Sequence, residues 1–285
     1  MILREHVVQC GGVGTWNIHP VGDLQFGAAG FDEALWKECV AKIKADPNAM
    51  VIGMGDYSDH WRPTNQKKLA QAFVGDSDFK ESIDELYQAH NRKIFDRLAP
   101  IIKKGRCLGL LEGHHYHTYA SGFTSTQELC QMLGVPYLGK VAYIRLVFGA
   151  GKKKGRPYPD HRWAMKIHAQ HGDGGAAMIG PDIANLERKT TPFWDADLFL
   201  RGHSTKKWAA PLQMYTMNDY GKPRLVPKEK WMVNTGGFMA GYIEDRETYV
   251  SALNLPPARL GYVTVHVRLE RHKETGDTFK ISVTQ

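Results

Sequence analysis

Cysteine is scarce in this chain of 285 residues, and the four present, Cys10, Cys39, Cys107 and Cys130, are scattered without a close pair. That spacing excludes a zinc knuckle or a dithiol redox motif and leaves four reduced, mostly buried thiols as the expectation. No apolar run reaches the roughly 20 residues that a membrane-spanning helix needs, so no membrane partner is expected. The opening "MILREHVVQCGGVGTW" carries Arg4, Glu5 and His6 where a secretory signal needs an unbroken apolar stretch, and the expected location is the cytoplasm. No internal repeat, low-complexity tract or Pro/Ser-rich linker divides the chain. Residues 1–285 therefore read as one domain, with a C-terminal hairpin at about 259–285 belonging to it.

What is present suits a buried core: 42% of residues are hydrophobic and 24% charged. The net charge of +7 and a pI near 9.1 permit a polyanionic partner without requiring one. "FDEALWKECVAKI" spaces Phe31, Leu35, Cys39 and Ile43 four apart and predicts an amphipathic helix ending near "DPN". The apolar run "MVIGMG" follows as a strand. Residues 64–102 read as helices, with Ile83, Leu86, Ile94, Leu98 and Ile101 at helical spacing, and "RCLGLLEG" reads as a second buried strand. Alternating strand and helix imply parallel βαβ units. "TSTQELCQMLG" predicts a short helix closed by Gly134. A second sheet is expected to begin with "YLGKVAYIRLVFG" and "HRWAMKIHAQHG", joined by the basic loop "AGKKKGRPYPD". A helix near 175–188, strands in "ADLFLRGHS" and "KWMVNTGG", and a final hairpin from "GYVTVHVRLERH" to "TFKISVTQ" through "ETGD" complete the reading.

The informative pattern is positional. Five times an apolar strand runs into glycine beside an aspartate or histidine: "VGD" at Asp23, "MGD" at Asp56, "EGHH" at His114 and His115, "QHG" at His171, and "RGH" at His203. In α/β sheets ligands gather outside the carboxyl ends of the strands, so these loops are expected to converge. Carboxylates and imidazoles brought together there suit zinc, manganese, iron or nickel, and a shared carboxylate suits a two-metal site for phosphate esters.

This ordered series, "GD-L-Q … GD … GHH … HG … GHST", resembles the calcineurin-like metallophosphoesterase superfamily, whose pattern is D-x-H, G-D, G-N-H-[DE], H-G and G-H-x-H. The resemblance covers roughly residues 16–210. "IHPVGDLQFG", "DPNAMVIGMGDY" and "GVPYLGKVAYIRL" look like a branch encoded by bacteriophages and prophages, which makes the host cytoplasm the expected compartment for a phage-encoded chain. The implied fold class is α/β, a calcineurin-like sandwich of two mixed β-sheets flanked by helices.

By the same resemblance Asp23 binds a first metal, Asp56 bridges both, and His171 and His203 hold the second. His115 matches the histidine that contacts the substrate phosphate and protonates the leaving group. Three positions depart from the pattern: Gln25 and Thr205 stand where histidines are expected, and His114 where asparagine is. The second site then has Asp56, His114, His171 and His203, a tight set for a transition metal. The first has only oxygen from Asp23, Asp56, Gln25 and Thr205, a weak set suited to Mg²⁺ or Mn²⁺. The implied reaction is hydrolysis of a phosphoester by a metal-bound hydroxide, with His115, Asp23 and Asp56 in the catalytic machinery and Lys206 and Lys207 beside the phosphate. The basic balance and "GKKKGR" favour phosphodiesters, nucleic acid among them, over monoesters. The alternatives are a phosphomonoesterase or protein phosphatase, or a chain that has lost hydrolysis and serves as a binding or structural protein. The histidines at 6, 60, 90, 161, 266 and 272 read as surface or core residues, His117 and His168 as structural, and Asp59 as a cap for the segment after it.

Overall fold

All five residues of "AMVIG", Ala49–Gly53, are buried, because this strand lies between two apolar layers and has no solvent face to make polar. Met50 and Ile52 face one layer, and Ala49 and Val51 the other. The computed structural model describes residues 1–60, 65, 77–150, 160–174, 178–218, 221–272 and 276–285. Among these, twelve strands form two mixed sheets. One runs β1 (Ile2–Gln9), β5 (Val141–Ala150), β6 (Asp160–Gln170), β7 (Leu198–Arg201), β9 (Leu225–Gly237) and β10 (Gly261–Tyr262), with β8 (Lys207–Met217) antiparallel on β9. The other runs β12 (Gly276–Thr284), β11 (Thr264–His272), β2 (Gly14–Val21), β3 (Ala49–Gly53) and β4 (Cys107–Leu110).

The sheets face each other across a core that includes Ile18, Ile52 and Leu108 from one and Ile144, Ile167 and Leu200 from the other. Three helices cover the outer face of the five-stranded sheet: α1 (Glu33–Ala45), α2 (Ser77–Leu98, extended by a 3-10 turn at Ala99–Ile101) and α3 (Ser125–Leu133). On the far side α4 (Ile179–Lys189) packs Leu186 against Phe199, Trp208 and Met232. A short α5 (Tyr249–Ala252) follows β9. Local chemistry sets the helix ends. Asp32 caps α1 by accepting from Leu35 N at 2.9 Å, and Thr124 and Gln127 form a reciprocal capping box on α3, which Gly134 closes at φ 65°.

Several expectations need correction. The opening "ILREHVVQ" is a strand, β1, paired parallel to β5 at the sheet's edge, so the second sheet begins at the start of the chain. Its charged residues are tolerated because an edge strand keeps one side in water. The long strand β8 was not anticipated either. Leu86 is exposed and does not belong to the buried stripe of α2. Residues 64 and 66–76 of the expected helical region, the basic segment 151–156 and residues 274–275 of the last turn lie outside the described residues. All four cysteines are free thiols. No helix among the described residues is long and apolar enough to cross a membrane.

His168, on β6, is 2% exposed and packs against Trp194 and Phe199, with Nδ1 unpartnered. Burial pushes its pKa down to about 4. Between pH 6.5 and 4 the unfolded chain therefore binds a proton that the folded chain refuses, and stability falls as pH falls. The loss at pH 5 is about 2 kcal/mol. Urea midpoints at pH 7.5 and pH 5.0 should differ less in His168→Phe than in the native chain; equal drops would show that His168 is not the group responsible.

Candidate metal centre

β2, β3 and β4 run parallel in one sheet, and β6, β7 and β9 run parallel in the other. Asp23, Asp56, His114, His115, His171 and His203 all sit just past the carboxyl end of one of these strands. Backbone bonds sew the loops together. Asp23 N donates to Gly55 O at 2.9 Å, Gln25 N to Asp56 O at 3.1 Å, and Phe238 N, after β9, to Asp23 O at 3.0 Å. Among the described non-glycine residues seven have positive φ, and five of them are Asp23, Gln25, Asp56, His203 and Thr205. Left-handed backbone at such residues costs about 1 kcal/mol or more each, and strain of this kind collects at functional sites. Gly113 is needed for a different reason: a Cβ there would overlap Asp56 Oδ1. Its absence lets the amides of His114 and His115 donate to that oxygen at 2.6 and 3.0 Å.

Asp56, His114, His171 and His203 each offer a ligand atom within 4.8 Å of all the others. His114 Nδ1 and His203 Nδ1 lie 3.1 Å apart. His171 Nδ1 is 2.7 Å from Met54 O; a carbonyl only accepts, so Nδ1 carries hydrogen there. That leaves His171 Nε2 aimed at Asp56 Oδ2, 3.1 Å away, at an angle outside hydrogen-bond geometry. Gln25 Nε2 donates to the same Oδ2 at 3.2 Å. Its Oε1, together with Asp23 Oδ1 and His171 Nε2, is buried without a hydrogen-bond partner. Two of these three atoms can only accept, so they do not satisfy one another, and leaving such groups orphaned is costly. Each of the three is an atom type that ligates a divalent cation. One carboxylate with three imidazoles is a donor set for a divalent metal ion, and the residues fit that group.

The electrostatics agree. Burial favours a neutral Asp23 and lifts its carboxyl to about 7, with the His171 charge acting against the rise. Burial would also raise Asp56, but its contact with His171 and the charges of His171 and His115 hold it below the usual carboxylate range. For His171 burial acts downward, and Asp56 outweighs it, lifting the imidazole to about 9. Without a metal the protein places a proton where a cation fits. Asp23 stands outside the group of four and joins it by accepting from His203 N at 2.8 Å.

A cavity of about 930 Å³ opens on the centre, lined at this end by Gln25, Asp56, His115, His203, Thr205 and Lys206. His115 Nδ1 donates to His60 O at 2.7 Å, and Asp59 Oδ1 is 3.7 Å away. Asp59, read from sequence as a cap, thus belongs to the surroundings of His115 and lines the cavity, as does His60. Lys207 does not line it. Its Nζ lies over Gly261 of β10, where an added Cβ would come within 3.0 Å. The side chain of Thr205 has no described hydrogen bond to the cluster.

Sequence reasoning missed Asp182. This fully buried carboxylate on α4 accepts from Arg201 Nη1 at 3.2 Å, Ser204 Oγ at 3.0 Å, Trp208 Nε1 at 2.9 Å and Asn234 Nδ2 at 2.9 Å. Arg201 Nη2 in turn donates to the carbonyls of Asp173 and Gly174 at 2.9 and 2.7 Å. One helix residue therefore anchors both the loop after His171 and the loop carrying His203. No local signal announces it, since the four donors lie 19 to 52 residues away.

No protein-family model matches the chain, and no curated protein matches it. Among solved structures, Vps29 of Chaetomium thermophilum aligns with 94% of this chain and 95% of its own at 10% identity and a TM-score of 0.35. A conserved protein of Streptococcus pneumoniae TIGR4, described as a predicted phosphoesterase, aligns with 95% of this chain and 100% of its own at 12% identity and a TM-score of 0.33. Scores this low assign nothing, and the functional reading rests on the residues themselves.

Proposed function

We propose that this chain is a metal-dependent phosphoester hydrolase of the calcineurin-like type. The observation that carries the reading is the cluster of Asp56, His114, His171 and His203 at strand ends from both sheets, ringed by buried acceptors that lack hydrogen-bond partners. A divalent ion held there supplies Lewis acidity toward a phosphoryl oxygen and activates water. Three imidazoles favour a tightly held transition metal at this cluster. The oxygens of Asp23, Gln25 and Thr205 beside Asp56 suit a second, weaker ion such as Mn²⁺ or Mg²⁺.

The chain's own groups do the rest. Asp56 fixes the loop of His114 and His115 through two amide bonds. His115 donates a hydrogen bond from Nδ1 to the His60 carbonyl, with Asp59 nearby, which orients the ring and leaves Nε2 as the atom to protonate the departing oxygen. Lys206 adds positive charge at the phosphate end. The +7 net charge supports phosphodiesters as the bond type. One observation favours the alternative of binding without hydrolysis: the Gln25 amide donates to Asp56 Oδ2, an oxygen that a bridging carboxylate would turn to metal.

Two substrates separate these readings. With His115→Ala, turnover of an alkyl phosphodiester should fall about 10²–10⁴-fold, and turnover of a p-nitrophenyl phosphodiester much less, because that leaving group needs no proton. Metal content should stay unchanged. Equal losses would assign His115 to positioning, and no metal-dependent hydrolysis of either ester by the native chain would leave only the binding role.

A further inference from the structure

The cavity has a second wall unlike the first. Besides the metal-cluster residues it is lined by Met239, Val250, Leu255 and Pro256, together with the small side chains of Ala28 and Ala29. This wall is tied to the metal-binding loop. Asp32 N donates to Phe238 O at 2.8 Å, and Ala240 N to Gly30 O at 2.7 Å. Val250 packs directly on Gly241, where an added Cβ would stand 2.8 Å from its Cγ1, and Tyr242 OH fastens Leu255 O at 2.7 Å. The apolar surface is thus held in place beside the phosphate end and does not depend on a ligand to assemble it.

Charge along the lining points the same way. Lys206 is the one ammonium among the described lining residues, against the carboxylates of Asp56, Asp59 and Glu247. A polynucleotide needs a cationic track for its successive phosphates; the described lining of this cavity offers one ammonium together with a set of hydrocarbon side chains. Its volume, about 930 Å³, lies in the range of roughly 300–1,000 Å³ that single small ligands occupy. Resting on the phosphoesterase reading above, we infer that the substrate is a small phosphate ester whose one compact apolar or aromatic group packs on Met239, Val250, Leu255 and Pro256.

Titration calorimetry of the Mn²⁺-loaded protein with methylphosphonate and phenylphosphonate tests this without turnover. Burying the ring on the apolar wall should make phenylphosphonate bind about tenfold tighter or more. A carboxylate in the wall should bring that ratio toward one, in Leu255→Asp, at a 39% exposed position that puts folding at little risk, and in Val250→Asp. A ratio near one in the native chain, or a ratio unchanged in both variants, overturns the inference alone. Displacement of phenylphosphonate by a short oligothymidylate at lower concentration, weakening with salt, overturns it in favour of a polymer. Failure of both phosphonates to bind overturns the phosphoesterase reading, and this inference with it.

Discussion

Asp56→Ala should release the cation and lower phosphoester turnover by on the order of 10³-fold or more. Four contacts depend on this one side chain. Its Oδ1 receives the amides of His114 and His115, and its Oδ2 faces His171 at 3.1 Å and Gln25 at 3.2 Å. Alanine removes the only carboxylate of the four-residue cluster and leaves two loop amides unpaired. Asp56→Asn separates these roles. Its side-chain oxygen can still accept from both amides, so the loop holds its course, while the lost charge weakens the cation site. Turnover of an aryl phosphodiester, read beside metal content after dialysis, checks both variants. Native rate and native metal content in Asp56→Asn would show that the cluster is not the reacting centre.

Asp182→Ala should cost about 3–5 kcal/mol of stability, the usual loss when one partner of a buried ion pair is removed. Asp182 is fully buried, and alanine would leave the Arg201 guanidinium without its carboxylate and remove the acceptor of the Trp208 indole N–H. The effect should reach the metal as well. Arg201 holds the carbonyls of Asp173 and Gly174, just beyond His171, and Ser204 follows His203. Urea unfolding at 25 °C measures the first effect, and the metal dissociation constant the second. Asp182→Asn keeps an acceptor and serves where alanine fails to fold; its cation affinity should still fall. A loss below 1 kcal/mol with native metal affinity would reduce Asp182 to an ordinary core residue.

The two sheets and the strand-end loops were legible because their signal is local. An apolar strand, a glycine and a carboxylate or imidazole stand in immediate succession at Asp23, Asp56, His114, His171 and His203. Burial on both faces keeps strands such as β3 apolar without interruption. β1 was not legible, because Arg4, Glu5 and His6 break its hydrophobic pattern, which an edge position allows. β8 escaped for a different reason: Pro211 interrupts it, and its second half has no alternation of apolar and polar residues, with Met214, Tyr215 and Met217 all exposed. Leu86 kept helical spacing with the buried residues of α2 yet faces solvent, since periodicity defines a stripe and not its edges. Lys207 follows Lys206 directly, but successive side chains at a strand's start point to opposite faces, and only Lys206 lines the cavity. Asp182 and the apolar wall near 239–258 lie beyond any motif. Their roles arise from contacts between distant segments, which sequence spacing does not encode.

The most direct test is anomalous scattering from crystals of the protein as purified, paired with metal analysis of the same preparation. The account predicts a strongly held transition-metal ion coordinated by Asp56, His114, His171 and His203, with any second ion, on the side of Asp23 and Gln25, appearing only after Mn²⁺ or Mg²⁺ is added. A metal-free cluster in crystals grown with added Zn²⁺ or Mn²⁺, or an ion bound elsewhere in the chain, would contradict it.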